Sequence, residues 1–118
     1  MTTQEIAIRL HELCLTGQFD TAQNELYHND ATSTEGNMKG GRETVTGIEA
    51  IKAKGKHFQS MIEEHHGDYT NEATFFGNYI FMQMGMDVTM KGMGRMNMNE
   101  MCRYEVKDGK IIAEEFYY

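Results

Sequence analysis

The side chains with chemistry to offer crowd into one stretch, Phe81 to Cys102, FMQMGMDVTMKGMGRMNMNEMC. It holds eight of the chain's eleven methionines, together with Asp87, Glu100 and Cys102. Thioethers are soft ligands, so a methionine run raises the question of a Cu(I) site. Such a site needs sulfurs that converge on one point. Along an extended strand, Met82, Met84, Met86 and Met90 form a row instead. The two carboxylates suggest a different chemistry, proton transfer, if an apolar setting lifts their pKa toward neutrality. The plainer reading of Asp87 and Glu100 is a pair of exposed acids.

Other constellations are weaker. The five histidines, His11, His28, His57, His65 and His66, have no HxxxH spacing, and zinc needs convergent ligands. No metal and no cofactor is expected. Cys14 and Cys102 are far apart with no CxxC, which fits a reducing compartment better than a disulfide scaffold. Gly40-Gly41-Arg42 is a weak anion-loop signal, and Arg42 reads more simply as a surface arginine. Lys52, Lys54 and Lys56 read as a solvated helix face.

The chain has 118 residues, which predicts one domain over 1–118 with an ordinary core. Its formal charge of −7 argues against nucleic acid, because phosphate binding needs a basic stripe. The N-terminal MTTQEIAIRLHEL has no basic region followed by an apolar run, and no stretch has the length of a membrane span. A cytoplasmic location away from membranes is expected.

The elements that must position these side chains follow from spacing. Thr2/Glu5, Asp20/Gln23 and Thr46/Glu49 each have the capping-box spacing. They predict helices to about Thr16, from Thr21 to about Tyr27, and from Ile48 to about Glu64. The first carries Ile6, Leu10, Leu13 and Cys14 on one stripe. The third carries Ile48, Ile51, Phe58 and Met61 or Ile62. Asp30 to Glu35 reads as a short strand and Asn37 to Thr46 as a loop. From Tyr69 the period changes to 2, with turns at Gly77-Asn78, within Lys91–Gly94, and at Asp108-Gly109. Four antiparallel strands after three helices make the class α+β, with helices on one face of a curved sheet.

Even-length turns would place Phe76 opposite Tyr79 and Lys91 opposite Gly94. One face would then carry Phe81, Gln83, Gly85, Asp87 and Thr89 beside Met96, Met98, Glu100, Cys102 and Tyr104. Asp87 and Glu100 become neighbours on it. The other face would carry Met82, Met84, Met86 and Met90, apolar enough to meet a partner sheet. A slip of one residue would exchange these faces.

The segments TGQFDTAQNELYHNDATSTE, TGIEAIKAK and NEMCRYEVKDGKIIAEEFYY, in that order and spacing, resemble SnoaL-like proteins of the nuclear-transport-factor-2-like superfamily. The resemblance covers nearly the whole chain. It implies a cone-shaped α+β barrel: three N-terminal helices on a strongly curved, mostly antiparallel sheet. A pocket opens at the wide end, and homodimers form through the convex sheet face. The superfamily includes ketosteroid isomerases and polyketide cyclases. The isomerases' base comes just after a segment like FADDA; the similar segment here, YHNDATSTE, places Glu35 at that position. Their oxyanion-hole positions match Leu10 and Cys102, neither a comparable donor. Glu114 lies near the cyclases' catalytic positions. The implied function is a pocket protein for a small hydrophobic ligand or substrate, with cofactor-independent isomerase, cyclase or dehydratase chemistry. The alternative is a binding or dimerisation module. Glu35, Asp87 and Glu100 are the expected catalytic residues. Leu10, Cys14, Tyr27, Phe58, Met96, Met98, Cys102, Tyr104 and Glu114 are expected to contact the ligand, and the Met-rich face to pair two copies.

Overall fold

In the computed structural model, which describes residues 1–37 and 39–118, helices α1 (Thr3–Leu15), α2 (Phe19–Leu26) and α3 (Ile48–Ser60) accompany one sheet. Its strands are β1 (Tyr27–Gly36), β2 (Arg42–Thr46), β3 (Ile62–Thr70), β4 (Thr74–Phe76), β5 (Tyr79–Met90), β6 (Gly94–Lys107) and β7 (Lys110–Tyr117). The strand order is β2-β1-β7-β6-β5-β3, with β4 beside the start of β5. Among the described residues only the β1–β7 pair is parallel. This is the expected α+β class, but the curved sheet is open, with β2 and β3 as its edges, and does not close into a barrel. Among the described residues no helix is long and apolar enough to cross a membrane.

The first capping box forms as its spacing predicts. Glu5 N–H donates to Thr2 Oγ1 (3.1 Å) and Thr2 N–H to Glu5 Oε1 (2.8 Å). The other two do not. Asp20 spends its carboxylate on Lys52 (3.3 Å) and Asn24 (3.3 Å), and α2 starts at Phe19 without a side-chain cap. Thr46 is committed to β2 opposite Thr32, so Gly47 caps α3 at φ +96°, a conformation glycine adopts freely.

Two strands escaped the sequence reading. Arg42–Thr46 is β2, paired with β1 inside the expected loop, of which Met38 lies outside the described residues. Helix α3 stops at Ser60, and Ile62–Glu64 belong to β3, which pairs with β5 from Ile62↔Met90 to Thr70↔Met84. Tertiary pairing overrides the helical spacing there.

The turns at Gly77-Asn78 and Asp108-Gly109 have two residues, closed by Phe76↔Tyr79 and Lys107↔Lys110 as expected. The third turn differs. Met90 faces Gly94, which leaves a three-residue loop, Lys91-Gly92-Met93, with Gly92 and Gly94 at φ +76° and +84°. The odd count shifts β5 by one residue against β6 and reverses the predicted faces of β5. Met82 pairs with Cys102, Met84 with Glu100 and Met86 with Met98. The methionine row therefore lies on the helix-covered, concave face. Met82 is 1% exposed, packed in the core with Ile6, Leu10 and Ile80, and Met84 packs against them. The row expected to meet a second copy lines this chain's own interior. Phe81, Gln83, Asp87 and Thr89 lie on the convex face. The prediction for β6 holds: Glu100, Cys102 and Tyr104 are on the concave side.

Candidate functional site

The parallel β1–β7 pairing sets Ser33 beside Glu114, and the β6–β7 register sets Tyr104 beside Glu114 and Cys102 beside Phe116. With alternation along each strand, Ser33, Glu35, Glu100, Cys102, Glu114 and Phe116 share the concave face. Helix α3 reaches this face through Lys54. Its Nζ donates to Ser33 Oγ at 2.6 Å, lies 3.1 Å from Glu35 Oε1, and sits 5.6 Å from the centre of the Phe116 ring.

A buried carboxylate needs donors, and Glu114, 4% exposed, has two. Tyr27 Oη donates to Oε1 at 2.5 Å and Ser33 Oγ to Oε2 at 3.3 Å. Burial raises its pKa, against the Tyr27 and Ser33 hydrogen bonds and the Lys54 charge, which oppose the shift. The surrounding thiols and phenols are kept protonated. Burial pushes Cys14 up to about 12 and Cys102 higher still, and holds Tyr27 and Tyr104 well above the usual phenol range. Neither cysteine is a thiolate nucleophile here.

Glu100 is different. Burial, and then the negative charge of Glu35, push it up to about 7. Its hydrogen-bond partner is the Cys102 thiol at 3.8 Å, a weak donor. Glu100, Asn97, Met98, Asn99 and Tyr118 line a cleft of about 230 Å³. The β6–β7 pairing runs out at Met101↔Tyr117, so the cleft follows the stretch of β6 that has no strand beside it on that side. Tyr118 crosses the end of β7, and its Oη reaches Glu35 Oε2 (3.3 Å) and the Gly36 carbonyl (3.2 Å).

The structure thus brings together Glu35, Glu100, Cys102 and Glu114, with Tyr27 and Tyr104 behind them and Met98 at the cleft. Met96 is half-buried further along β6, and Cys14 is buried close enough for the Glu114 charge to raise it. Leu10 is a core residue at 1% exposure. Phe58 is half-buried on α3, outside the hydrogen-bonded network. Asp87 is the correction. The β5 register places it on the convex face, where Arg95 binds it through Nε (3.0 Å) and Nη2 (2.9 Å) and holds it below the usual carboxylate range.

Ser33, Lys54 and Tyr118 were missed. Lys54 carried a signal: it lies three residues after Ile51 and four before Phe58, on the apolar stripe of α3. A lysine there implies a polar partner beneath it. Ser33 alternates with Ala31 and Glu35, which share its inward side. No sequence pattern marked Tyr118. Among the described residues no group of three or more His, Cys, Asp or Glu side chains is arranged to hold a metal ion.

The profile of one protein family, the SnoaL-like domain, matches residues 1–118. A Mesorhizobium loti protein described as a candidate SnoaL-like polyketide cyclase is 34% identical, with both chains fully covered and a TM-score of 0.91. A Xanthomonas campestris protein of unknown function with a cystatin-like fold is 14% identical over 99% of this chain and 90% of its own, with a TM-score of 0.79. A Catenulispora acidiphila protein with a ketosteroid isomerase-like fold, in complex with trimethylamine, is 20% identical over 99% and 87%, with a TM-score of 0.72. No curated protein matches the chain.

Proposed function

The chain belongs to the SnoaL-like domain family, and from that premise we propose that it carries out acid–base catalysis, of the isomerase, cyclase or dehydratase type, on a small hydrophobic substrate. Glu100 is the proton-transferring group. The observation that carries this reading is a half-buried carboxylate, raised to about 7, at the wall of an open cleft. A group with that pKa is substantially ionised at neutral pH and is still basic enough to accept a proton from carbon. Glu35, the sequence candidate for the base, is bound by Lys54. Its charge then acts on Glu100, raising it. Glu114 is too deeply buried to touch a ligand and serves as an anchor for Tyr27 and Ser33.

The cleft is below the 300–1,000 Å³ usual for drug-sized ligands, which favours a substrate of one or two rings. Hydrogen–deuterium exchange at C1 of 2-tetralone, followed by NMR, tests the reading without knowledge of the natural substrate. The protein is expected to accelerate exchange, and Glu100→Gln to remove roughly 10²–10⁴-fold of that acceleration. Exchange at the buffer rate with wild-type protein, for 2-tetralone and a set of cyclic β-diketones, would defeat it.

A second reading, ligand binding without turnover, has one observation in its favour. Leu10 and Cys102, at the positions matching the isomerases' donors, are buried and offer no strong donor. Thermal stabilisation by such compounds with no exchange would select it. Pairing of two copies is proposed on the convex face, around Tyr69, Phe81 and Met101. Tyr69 and Met101 are 43% and 45% exposed.

A further inference from the structure

Proton removal next to a carbonyl places negative charge on its oxygen, and a donor must meet that charge. Several hydroxyl, thiol or ammonium donors lie on or near the concave face, of which Ser33, Tyr104 and Cys14 are buried beneath it. Lys54 is spent on Ser33 and Glu35. Tyr27 is 8% exposed and tied to Glu114 at 2.5 Å. The Cys102 thiol is fully buried and points at Glu100. Tyr118 alone among them lines the cleft beside Glu100.

Its hydroxyl is also the least committed. Oη lies 3.3 Å from Glu35 Oε2 and 3.2 Å from the Gly36 carbonyl. An ordinary O–H···O bond is 2.5–3.0 Å long, so one proton is shared between two long, weak contacts. Glu35 does not depend on it, because Lys54 is closer, at 3.1 Å. The residue lies past the last β6–β7 pair and is 71% exposed, so its ring can turn without disturbing the sheet. Arg42 stacks 4.6 Å from the Tyr117 ring and fixes the strand just before it.

We propose that Tyr118 is the hydroxyl donor of the cleft, holding the carbonyl oxygen of a bound ketone while Glu100 removes and returns the proton on the adjacent carbon. This rests on the acid–base reading above. In the step, the Glu100 carboxylate takes the proton and the C–H electron pair becomes the C=C bond. The carbonyl π pair moves to oxygen, where the Tyr118 O–H holds it. Return of the proton from Glu100 to the same carbon restores ketone and carboxylate and gives exchange; where the ketone is β,γ-unsaturated, return to the γ carbon of the dienolate moves the double bond and gives isomerisation.

Tyr118→Phe keeps the ring and removes only the hydroxyl at an exposed site, so circular dichroism should not change. Exchange at C1 of 2-tetralone is expected to fall roughly 10–100-fold, the range for a hydrogen bond to a charged group. Binding of 2-naphthol, which presents a hydroxyl where the enol oxygen would form, should weaken in the same variant by at least about tenfold. Exchange at the wild-type rate in Tyr118→Phe overturns the proposal. If the wild-type protein exchanges nothing, the catalytic reading fails separately and 2-naphthol binding decides. Weaker binding by Tyr118→Phe supports Tyr118 as the donor. Equal affinity, or no binding to the wild type, overturns it.

Discussion

Glu100→Gln should make the protein more stable at high pH while making it inactive. The folded chain raises Glu100 to about 7 from the ordinary glutamate value of 4.5, chiefly by burial. A carboxyl that binds its proton more tightly when folded contributes stability that is fully present below pH 4.5 and is lost as the pH rises through 7. Above that, the native state carries a poorly solvated charge that in the unfolded chain is fully hydrated. At 1.36 kcal/mol per pH unit, the gap of 2.5 corresponds to about 3 kcal/mol. Water still reaches the half-buried carboxylate, which reduces the effect to about 1–2 kcal/mol. Glutamine is nearly the same shape and uncharged, so it abolishes this cost and the repulsion from Glu35 and Glu114. Urea unfolding of both proteins between pH 4 and 9 would measure it. The variant should be about 1–2 kcal/mol more stable at pH 8, and the difference should fade toward pH 4.5. A difference that is flat with pH, or a variant less stable at pH 8, would refute the reasoning about Glu100. Activity lost with stability gained is the signature of a group kept for chemistry at the expense of the fold.

Three other outcomes are expected. Lys54→Met strands the half-buried Glu35 and removes the ammonium that Ser33 accepts from, so urea unfolding at pH 7 should show a loss of about 1–3 kcal/mol; no loss would mean that the contact is solvent-screened and idle. A Cβ at Gly85 would lie 2.2 Å from the Tyr69 ring and 2.7 Å from Asn99 Oδ1, so Gly85→Ala should cost about 1–2 kcal/mol. Pairing it with Tyr69→Ala should recover most of that, and a double-mutant cycle with no coupling would contradict the contact. If copies pair through the convex face, Met101→Lys should shift the sedimentation coefficient from dimer to monomer; a wild-type monomer at micromolar concentration would exclude that pairing.

Much of the architecture was legible because it is written locally. Thr2 and Glu5 close a capping box within one turn, and Gly77-Asn78 and Asp108-Gly109 make turns whose two-residue length fixes the pairing beside them. What failed was decided at a distance. Ile62–Glu64 continue a helical pattern, yet the edge of β5 claims them. Lys91-Gly92-Met93-Gly94 allows an even or an odd loop, and that parity determines whether Asp87 or Met84 shares the face of Glu100. Glu100 and Glu35 were identifiable as acids on an inward face. That Glu35 would be held by Lys54, leaving Glu100 as the free group, depends on where α3 docks, and no short-range spacing encodes docking.

The stretch of β6 beside the cleft, Asn97 to Glu100, has β5 on one side and no strand on the other. Its outward amides and carbonyls have no strand partner beside the residues that line the cleft. Main-chain groups survive every substitution except proline, so side-chain changes at Asn97, Met98 or Asn99 can reshape the cleft while part of its hydrogen-bonding pattern persists. Divergence at these positions would retune which molecules enter, with a fixed backbone grip beneath, a suitable starting point for directed evolution.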